Sequence, residues 1–539
     1  MRWLLLLLLA VLPLVGLPAC RTTVAAPGLH QTRVSGTAEN LEQARLAWNI
    51  MAQRSPRSLA ARQARQRYNS AVAAVLTSIH PDRDISQWGK SKVVEGAVPW
   101  RISFDASPRV PVSTTLSPQD FSGCELARDI TLTDFEQTVA RDGVGVPVVL
   151  ERKDGEGTAP PFQPPAGEFL PATAVLEFPQ GSSAGTTAVR LRFYNVMEAS
   201  SVAVGGRDSP LAENLTAALE RSLTNAAPEP GKPGDAKPTA WGEQESRLFF
   251  LQRYDPHKTP VVFVHGLLCG PVIWKNAVNA MLADPELRRR YQPACFMYPS
   301  GMPIPVTAAR LRDQLREARD TLDPGHRDAG FGNTVLVGHS MGGLVSRMQV
   351  IDSGKDFWNA FFTAPRWKVA RSVDAGTRRM LDDSLFFKRE PDVARVIFIC
   401  TPHRGSELAD VGIYQTILRL VLFLPKTAKD GLEKLAELPV SFIQPELRGF
   451  SDRGVRGTET LSTKHPFFDA LAKRPIQVPF HSIIATDRGL DFRSSSDRIV
   501  PYTSAHLEGA ASETLVPYWH GCVEMPETVA AVLKILRDR

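Results

Sequence analysis

Apolar and polar positions change period twice along this 539-residue chain. From Asn40 to about Ile79, Leu41, Ala44, Trp48 and Met51 recur at helical spacing, as do Ala71, Ala74, Val75 and Ile79. The composition there, rich in Ala, Arg, Gln and Leu, favours helix. Beyond Pro81 the period shortens. "VPVVLER", "ATAVLEF" and "AVRLRFYNV" alternate or carry β-branched residues between Gly/Pro clusters, and read as strands. "LAENLTAALERSL" adds a helix near 211–223. "AAPEPGKPGDAKPTA", at 226–240, then breaks every period.

After that break, continuous apolar strands alternate with helices. "RLFFLQRY", "PVVFVHG", "ACFMYP", "TVLVGHS", "ARVIFICT" and "HSIIAT" read as buried strands. Between them lie a helix carrying Leu311, Leu315, Ala318 and Leu322 on one face and another opening at Met341. A last helix carries Val529, Val532, Leu533 and Leu536, with Pro526 in its first turn. This order predicts an α/β fold whose mostly parallel sheet is covered on both faces. The predicted organisation is an α+β accessory domain over 39–225, a Pro/Gly linker over 226–244 and an α/β domain over 245–539. An insertion of about seventy residues, 405–478, interrupts the α/β domain. Its segment "GIYQTILRLVLFLP" is apolar nearly all round as a helix, so it packs between core and accessory domain or forms a lid. Ile417 and Val421 are the candidate lid contacts.

Composition narrows the class. Hydrophobic residues make up 43% and charged residues 22%, as in a globular protein. The net charge of +6 comes from 63 basic and 57 acidic residues interspersed along the chain, without the block that would bind nucleic acid. There is no P-loop, dinucleotide fingerprint or metal-spaced Cys/His cluster. The first twenty residues, "MRWLLLLLLAVLPLVGLPAC", read as a signal peptide, and 21–38 as a polar tether. Leu17-Pro18-Ala19-Cys20 resembles a bacterial lipobox, which implies a lipidated Cys20, and Arg21 after it favours the outer membrane. Without lipidation the protein would be secreted or periplasmic. Five cysteines remain (Cys124, Cys269, Cys295, Cys400 and Cys522), an odd number that cannot complete a disulfide framework but leaves room for one bridge.

One stretch carries nucleophile chemistry. In "TVLVGHSMGGL" a buried-strand pattern runs into Ser340 and a helix opens directly after it, the strand–turn–helix of a nucleophile elbow. Gly338 and Gly342 fit where side chains would collide. An oxyanion needs donors, and the turn after "VVFVHG" offers the Leu267 amide, with Met341 supplying the second. His265 braces that turn. In the order Ser…Asp…His, His520 before the final helix is the candidate base, with His506 and His481 as competitors. Asp497 is the candidate acid and Asp487 its rival.

Together "VFVHGL", "GHSMGG", "TPHRGS", Asp497 and His520 resemble the serine α/β-hydrolases. The likeness is to a bacterial lipase-like branch related to triacylglycerol lipases and GPI-inositol-deacylase-like proteins. It covers roughly 245–539. In that branch the acid lies in S-D-G-x-V-P; this chain has Ser496-Asp497-Arg498-Ile499-Val500-Pro501, with arginine for the glycine. The resemblance implies an α/β-hydrolase fold, an ester or lipid substrate, a Ser340–His520–Asp497 triad, an acyl-enzyme, and neither metal nor cofactor. A thioesterase, acyltransferase or peptidase would use the same residues, and a binding protein could retain the scaffold without catalysis.

Overall fold

The computed structural model describes residues 36–79, 85, 88, 91–96, 99–104, 114–152, 162–164, 167–179, 187–224, 246–299, 301–406, 434–435, 437–447, 465–487 and 494–538. Cys20, the linker and the segment bearing Ile417 and Val421 lie outside them.

The helical stretch near the start divides in two, α1 (Thr37–Gln53) and α2 (Leu59–Ile79). Pro56 falls in the break, and the Ser58 hydroxyl accepts from the Ala61 amide, capping the second helix. α1 buries the expected stripe, and α2, with Ala74 partly exposed, buries Ala71, Val75 and Ile79 together with Tyr68, Val72 and Leu76, both against a mixed sheet. Its strands are β1 (Ser91–Val94), β2 (Trp100–Phe104), β3 (Gly123–Leu126), β4 (Val146–Arg152), β5 (Glu168–Glu177) and β6 (Thr187–Asn195), in spatial order β1-β2-β6-β5-β4-β3. Helix α3 (Leu215–Thr224) begins later than the sequence pattern suggests, because the Asn214 side chain accepts from the Ala217 amide and Glu213–Asn214 pairs with Ala140–Arg141.

The second sheet is built from β7 (Arg247–Phe250), β8 (Thr259–Val264), β9 (Tyr291–Met297), β10 (Thr334–His339), β11 (Val393–Ile399), β12 (Phe480–Ala485) and β13 (Ser512–Val516). Its order is β7-β9-β8-β10-β11-β12-β13, with β7 antiparallel to β9 and every other pair parallel. Among the helices that flank it are α4 (Lys275–Ala283), α5 (Ile304–Leu322), α6 (Met341–Arg347) and α7 (Pro526–Arg537). Period two divides each strand between two cores. Val262, Val264, Leu336, Val396 and Phe398 point to the α5–α6 face. Val261, Phe263, Val335, Val337, Ile397 and Ile399 point to the α4–α7 face. Strand order reverses beside β8: the chain goes outward to β9, then returns past β8 to β10. By the rule for open α/β sheets, the carboxyl ends of β8 and β10 are the place where a ligand is expected.

The two halves share a core. Leu215, Leu219 and Leu223 of α3 join the α4–α7 cluster. Helix α4 turns its polar side the same way: Asn279 donates to the Gln137 carbonyl at 2.7 Å, and its side-chain oxygen accepts from Thr216 at 2.8 Å. Asn276 accepts from the Glu136 amide at 3.1 Å. Of the insertion, the described pieces contribute Leu438, Phe442, Phe467, Phe468 and Leu471 to the α5–α6 core.

After β12 the chain closes a short turn through the Ser496–Pro501 bridge, with Arg498 at φ 73°. That left-handed angle explains the glycine of the motif at this position; in an arginine it costs about 1–2 kcal/mol. Arg498→Gly should therefore raise stability by about 1 kcal/mol, since its exposed pairing with Asp487 contributes little. A lower melting temperature would contradict this. Leu219→Ala should cost about 2–5 kcal/mol through the cavity left between the halves. Denaturant unfolding should show the midpoint falling for both halves together.

Candidate active site

Ser340 sits at φ 53°, ψ −123°, between the end of β10 and the first residue of α6. Its amide donates to the Ile399 carbonyl at 2.9 Å, which ties the elbow to β11. A methyl group at Gly338 would lie 2.6 Å from the Gly342 carbonyl oxygen; one at Gly342 would collide with the Val264 and His265 carbonyls. Both glycines are required, as the pattern implies. Gly343, not singled out from sequence, is equally constrained: a methyl there would run into the Thr401 side chain.

His520 Nε2 lies 2.8 Å from Ser340 Oγ, and His520 Nδ1 lies 2.7 Å from Asp497 Oδ2. A carboxylate only accepts, so Nδ1 carries the proton and Nε2 is left to receive one from the serine. The other Asp497 oxygen, Oδ1, accepts from the Ile499 and Val500 amides at 2.9 and 2.6 Å. Those two bonds hold the carboxylate plane toward the imidazole. The base is held by its backbone as well: the His520 amide donates to the Asp497 carbonyl at 2.9 Å. His339 Nε2 reaches the His520 carbonyl at 3.0 Å. Since a carbonyl can only accept, His339 is protonated on Nε2 and its Nδ1 finds no hydrogen-bond partner among the described residues. Burial, with the neighbouring His520, pushes the His339 imidazole down to about 3, so it stays neutral.

The expected oxyanion donors belong to the two segments that meet at the serine. Met341 opens α6, where an amide has no carbonyl partner within the helix. Gly266 leads the other wall: a methyl on it would be 3.2 Å from Ser340 Cβ, so the β8 turn passes over the serine and carries Leu267 with it. His265 does brace this turn. Its Nδ1 donates to the Gly266 carbonyl at 2.9 Å, its Nε2 accepts from the Tyr298 amide at 3.2 Å, and its ring stacks on Tyr298. Burial lowers its pKa to about 4.

The competitors have other partners. His481 bonds the Ser512 hydroxyl at 2.8 Å, between strands. His506 bonds Glu513 at 2.6 Å, and this partner raises its pKa. Asp487 faces the Arg498 guanidinium at 3.5 Å. None of the three hydrogen-bonds to Ser340 or His520.

The segment "TPHRGS" carries no chemistry that its sequence alone announces. Its residues clasp the chain that follows the acid: the His403 amide donates to the Ser504 carbonyl at 3.0 Å, and Ser406 Oγ bonds the Ile499 carbonyl. Arg404 Nη1 donates to the Thr503 and His506 carbonyls at 2.7 and 2.6 Å. Behind this clasp the buried Arg347 donates to the Leu471 carbonyl at 3.0 Å. Desolvation drives its pKa down to about 9. Among the described residues, Cys400, Asp497 and His520 are the one group whose ligand atoms crowd within 4.8 Å. Asp497 and His520 already spend their inward atoms on each other and on the serine.

Comparison with known proteins agrees with this architecture. A family model described as the alpha/beta hydrolase family matches residues 261–532, just over half of the chain. No curated protein matches. Among solved structures, the mature lipase of Bacillus licheniformis is 20% identical at a TM-score of 0.31, covering 52% of this chain and 93% of that one. Esterase B of Lactobacillus rhamnosis is 15% identical at 0.31, covering 56% and 82%. A metagenomic carboxyl esterase is 15% identical at 0.30, covering 58% and 81%. On the family match, which spans the elbow, the acid and the base, the chain belongs to the alpha/beta hydrolase family.

Proposed function

We propose that this protein is a serine hydrolase that cleaves carboxylic esters, lipid-like esters among them. One observation carries the reading: an unbroken hydrogen-bonded line from Asp497 through His520 to a serine on left-handed backbone. Ser340 Oγ attacks the ester carbonyl as its proton passes to His520 Nε2. Asp497 keeps the imidazole in its tautomer and stabilises the imidazolium. The amides of Leu267 and Met341 receive the negative charge on the former carbonyl oxygen. His520 then protonates the departing alcohol, and water, activated by the same imidazole, releases the acid and restores the serine.

Support for apolar substrates comes from the rim. Leu268, Val272 and Trp519 are 52%, 39% and 57% exposed on the segments adjoining Leu267 and His520. Large apolar side chains exposed on the segments that adjoin the candidate site fit an acyl chain or a fatty alcohol. Within this reading the protein works at the bacterial envelope, held by lipid on Cys20. The support is the apolar N-terminal run ending in Leu17-Pro18-Ala19-Cys20. Among the described residues no helix is long and apolar enough to cross a membrane.

Ser340→Ala should lower p-nitrophenyl ester hydrolysis by about 10⁴–10⁶ and abolish fluorophosphonate labelling, with the circular-dichroism spectrum unchanged. Persistent labelling would remove the serine from the mechanism. Asp497→Asn should reduce turnover by about 10³–10⁴, whereas Asp487→Asn, on an exposed pair, should leave it near wild type. The reverse order would move the acid to the end of β12. Trp519→Ala should weaken octanoate hydrolysis by about tenfold relative to acetate, given roughly 0.8 kcal/mol per buried methylene. Equal losses on both esters would exclude Trp519 from the acyl site.

A further inference from the structure

The five cysteines among the described residues are all reduced. Cys124, Cys269 and Cys295 have no sulfur neighbour among those residues. Cys400 and Cys522, 122 positions apart, bring their sulfurs to 3.4 Å. Cys400 directly follows β11, on left-handed backbone at φ 48°, with its amide fixed to the Ile483 carbonyl at 2.9 Å. Cys522 opens the turn that leads into α7, two residues beyond His520. Both side chains are buried. Either thiol can donate in this contact, which holds Cys522 below its ordinary range and, with burial, pushes Cys400 well up.

We propose that Cys400 and Cys522 are the site of a disulfide cross-link that fastens the turn bearing His520 to the carboxyl end of β11. Closing a bond of about 2.05 Å from the observed separation needs the sulfurs to approach by about 1.4 Å. The oxidant is a disulfide, either of a protein or of glutathione. The Cys522 thiolate attacks one sulfur of that disulfide; its S–S bond breaks, a mixed disulfide forms and one oxidant thiolate leaves. Cys400 then loses its proton and attacks the Cys522 sulfur, expelling the second oxidant thiolate. Two cysteine thiols are oxidised, two protons are given up, and the oxidant's disulfide is reduced to two thiols. Because both sulfurs are covered in the closed fold, exchange proceeds while the turn at 520–525 is undocked, during folding or in brief openings.

The bridge would close a loop from β11 to the His520 turn that contains Asp497. Constraining so long a loop disfavours the unfolded chain. It would also keep the base beside the serine when the C-terminal turn would otherwise lift. This inference does not depend on which ester, if any, the site cleaves.

The test uses the full chain, refolded with excess glutathione disulfide, denatured in maleimide to block free thiols, and digested without reduction. Mass spectrometry should find the Cys400 and Cys522 peptides joined, lighter by two hydrogens than their reduced sum. Cys124, Cys269 and Cys295 should carry the label. The oxidised protein should melt several degrees above the dithiothreitol-treated protein, and that difference should vanish in Cys522→Ser. Maleimide on both Cys400 and Cys522 after oxidation would overturn the proposal, as would a bridge to any other cysteine. Cys400→Ser places serine at a left-handed position; if it fails to fold, the peptide map and Cys522→Ser still decide.

Discussion

The constraint on which everything else depends is the left-handed backbone of Ser340. A side-chain-bearing residue there costs on the order of 1–3 kcal/mol, and the surroundings must impose it. They do so through contact. The elbow lies so close to β8 and to the strand that follows Ser340 in the sheet that Gly338, Gly342 and Gly343 have no room for a methyl group. The Ile399 carbonyl takes the serine's own amide. What results is a hydroxyl at the reversal point of the sheet, the place where open α/β sheets take ligands.

Around that hydroxyl, charge is kept scarce. His265 and His339 are buried and held neutral by desolvation, with pKa values near 4 and 3. Neither competes with His520 for the Asp497 carboxylate. Each works as an oriented dipole instead: one sets the β8 turn, the other holds the carbonyl of the base. Positive charge is bound to backbone carbonyls instead: Arg404 to that of Thr503 in the clasp, and Arg347, behind it, to that of Leu471. The acid thus keeps a single imidazole partner and two backbone donors. This is the arrangement that lets a carboxylate steer a proton without capturing it.

Much of this was legible in the sequence because strong local rules apply. Buried parallel strands are continuous apolar runs, and the elbow announces itself by a strand, a glycine-flanked serine and a helix. Asp497 and His520 could be picked out by order along the chain. The stretch at 40–79 reads as one helical composition, yet its apolar stripe lapses over the polar run "AQRSPRS" around Pro56, and there the structure divides it into two helices. β13, "SETLV", was missed because it lies at the sheet's edge and alternates weakly. Gly343 was overlooked because its constraint comes from Thr401, nearly sixty residues away, and no local pattern reports such a contact. The same holds for the clasp made by Arg404 and Ser406, and for the shared core between α3 and α4. These are tertiary coincidences of residues that are individually unremarkable.

Ser340 and His520 are 180 positions apart in the chain. Synthesis proceeds at about 5–20 residues per second, so the serine is made roughly ten to forty seconds before its base. During that interval β8, β10 and the elbow can assemble, yet the hydroxyl has nothing to take its proton and is no more reactive than any other alcohol. The fold therefore carries its own delay. Under the proposed mechanism a nascent chain meets its surroundings inert, and would become chemically competent only once the turn bearing His520 has docked.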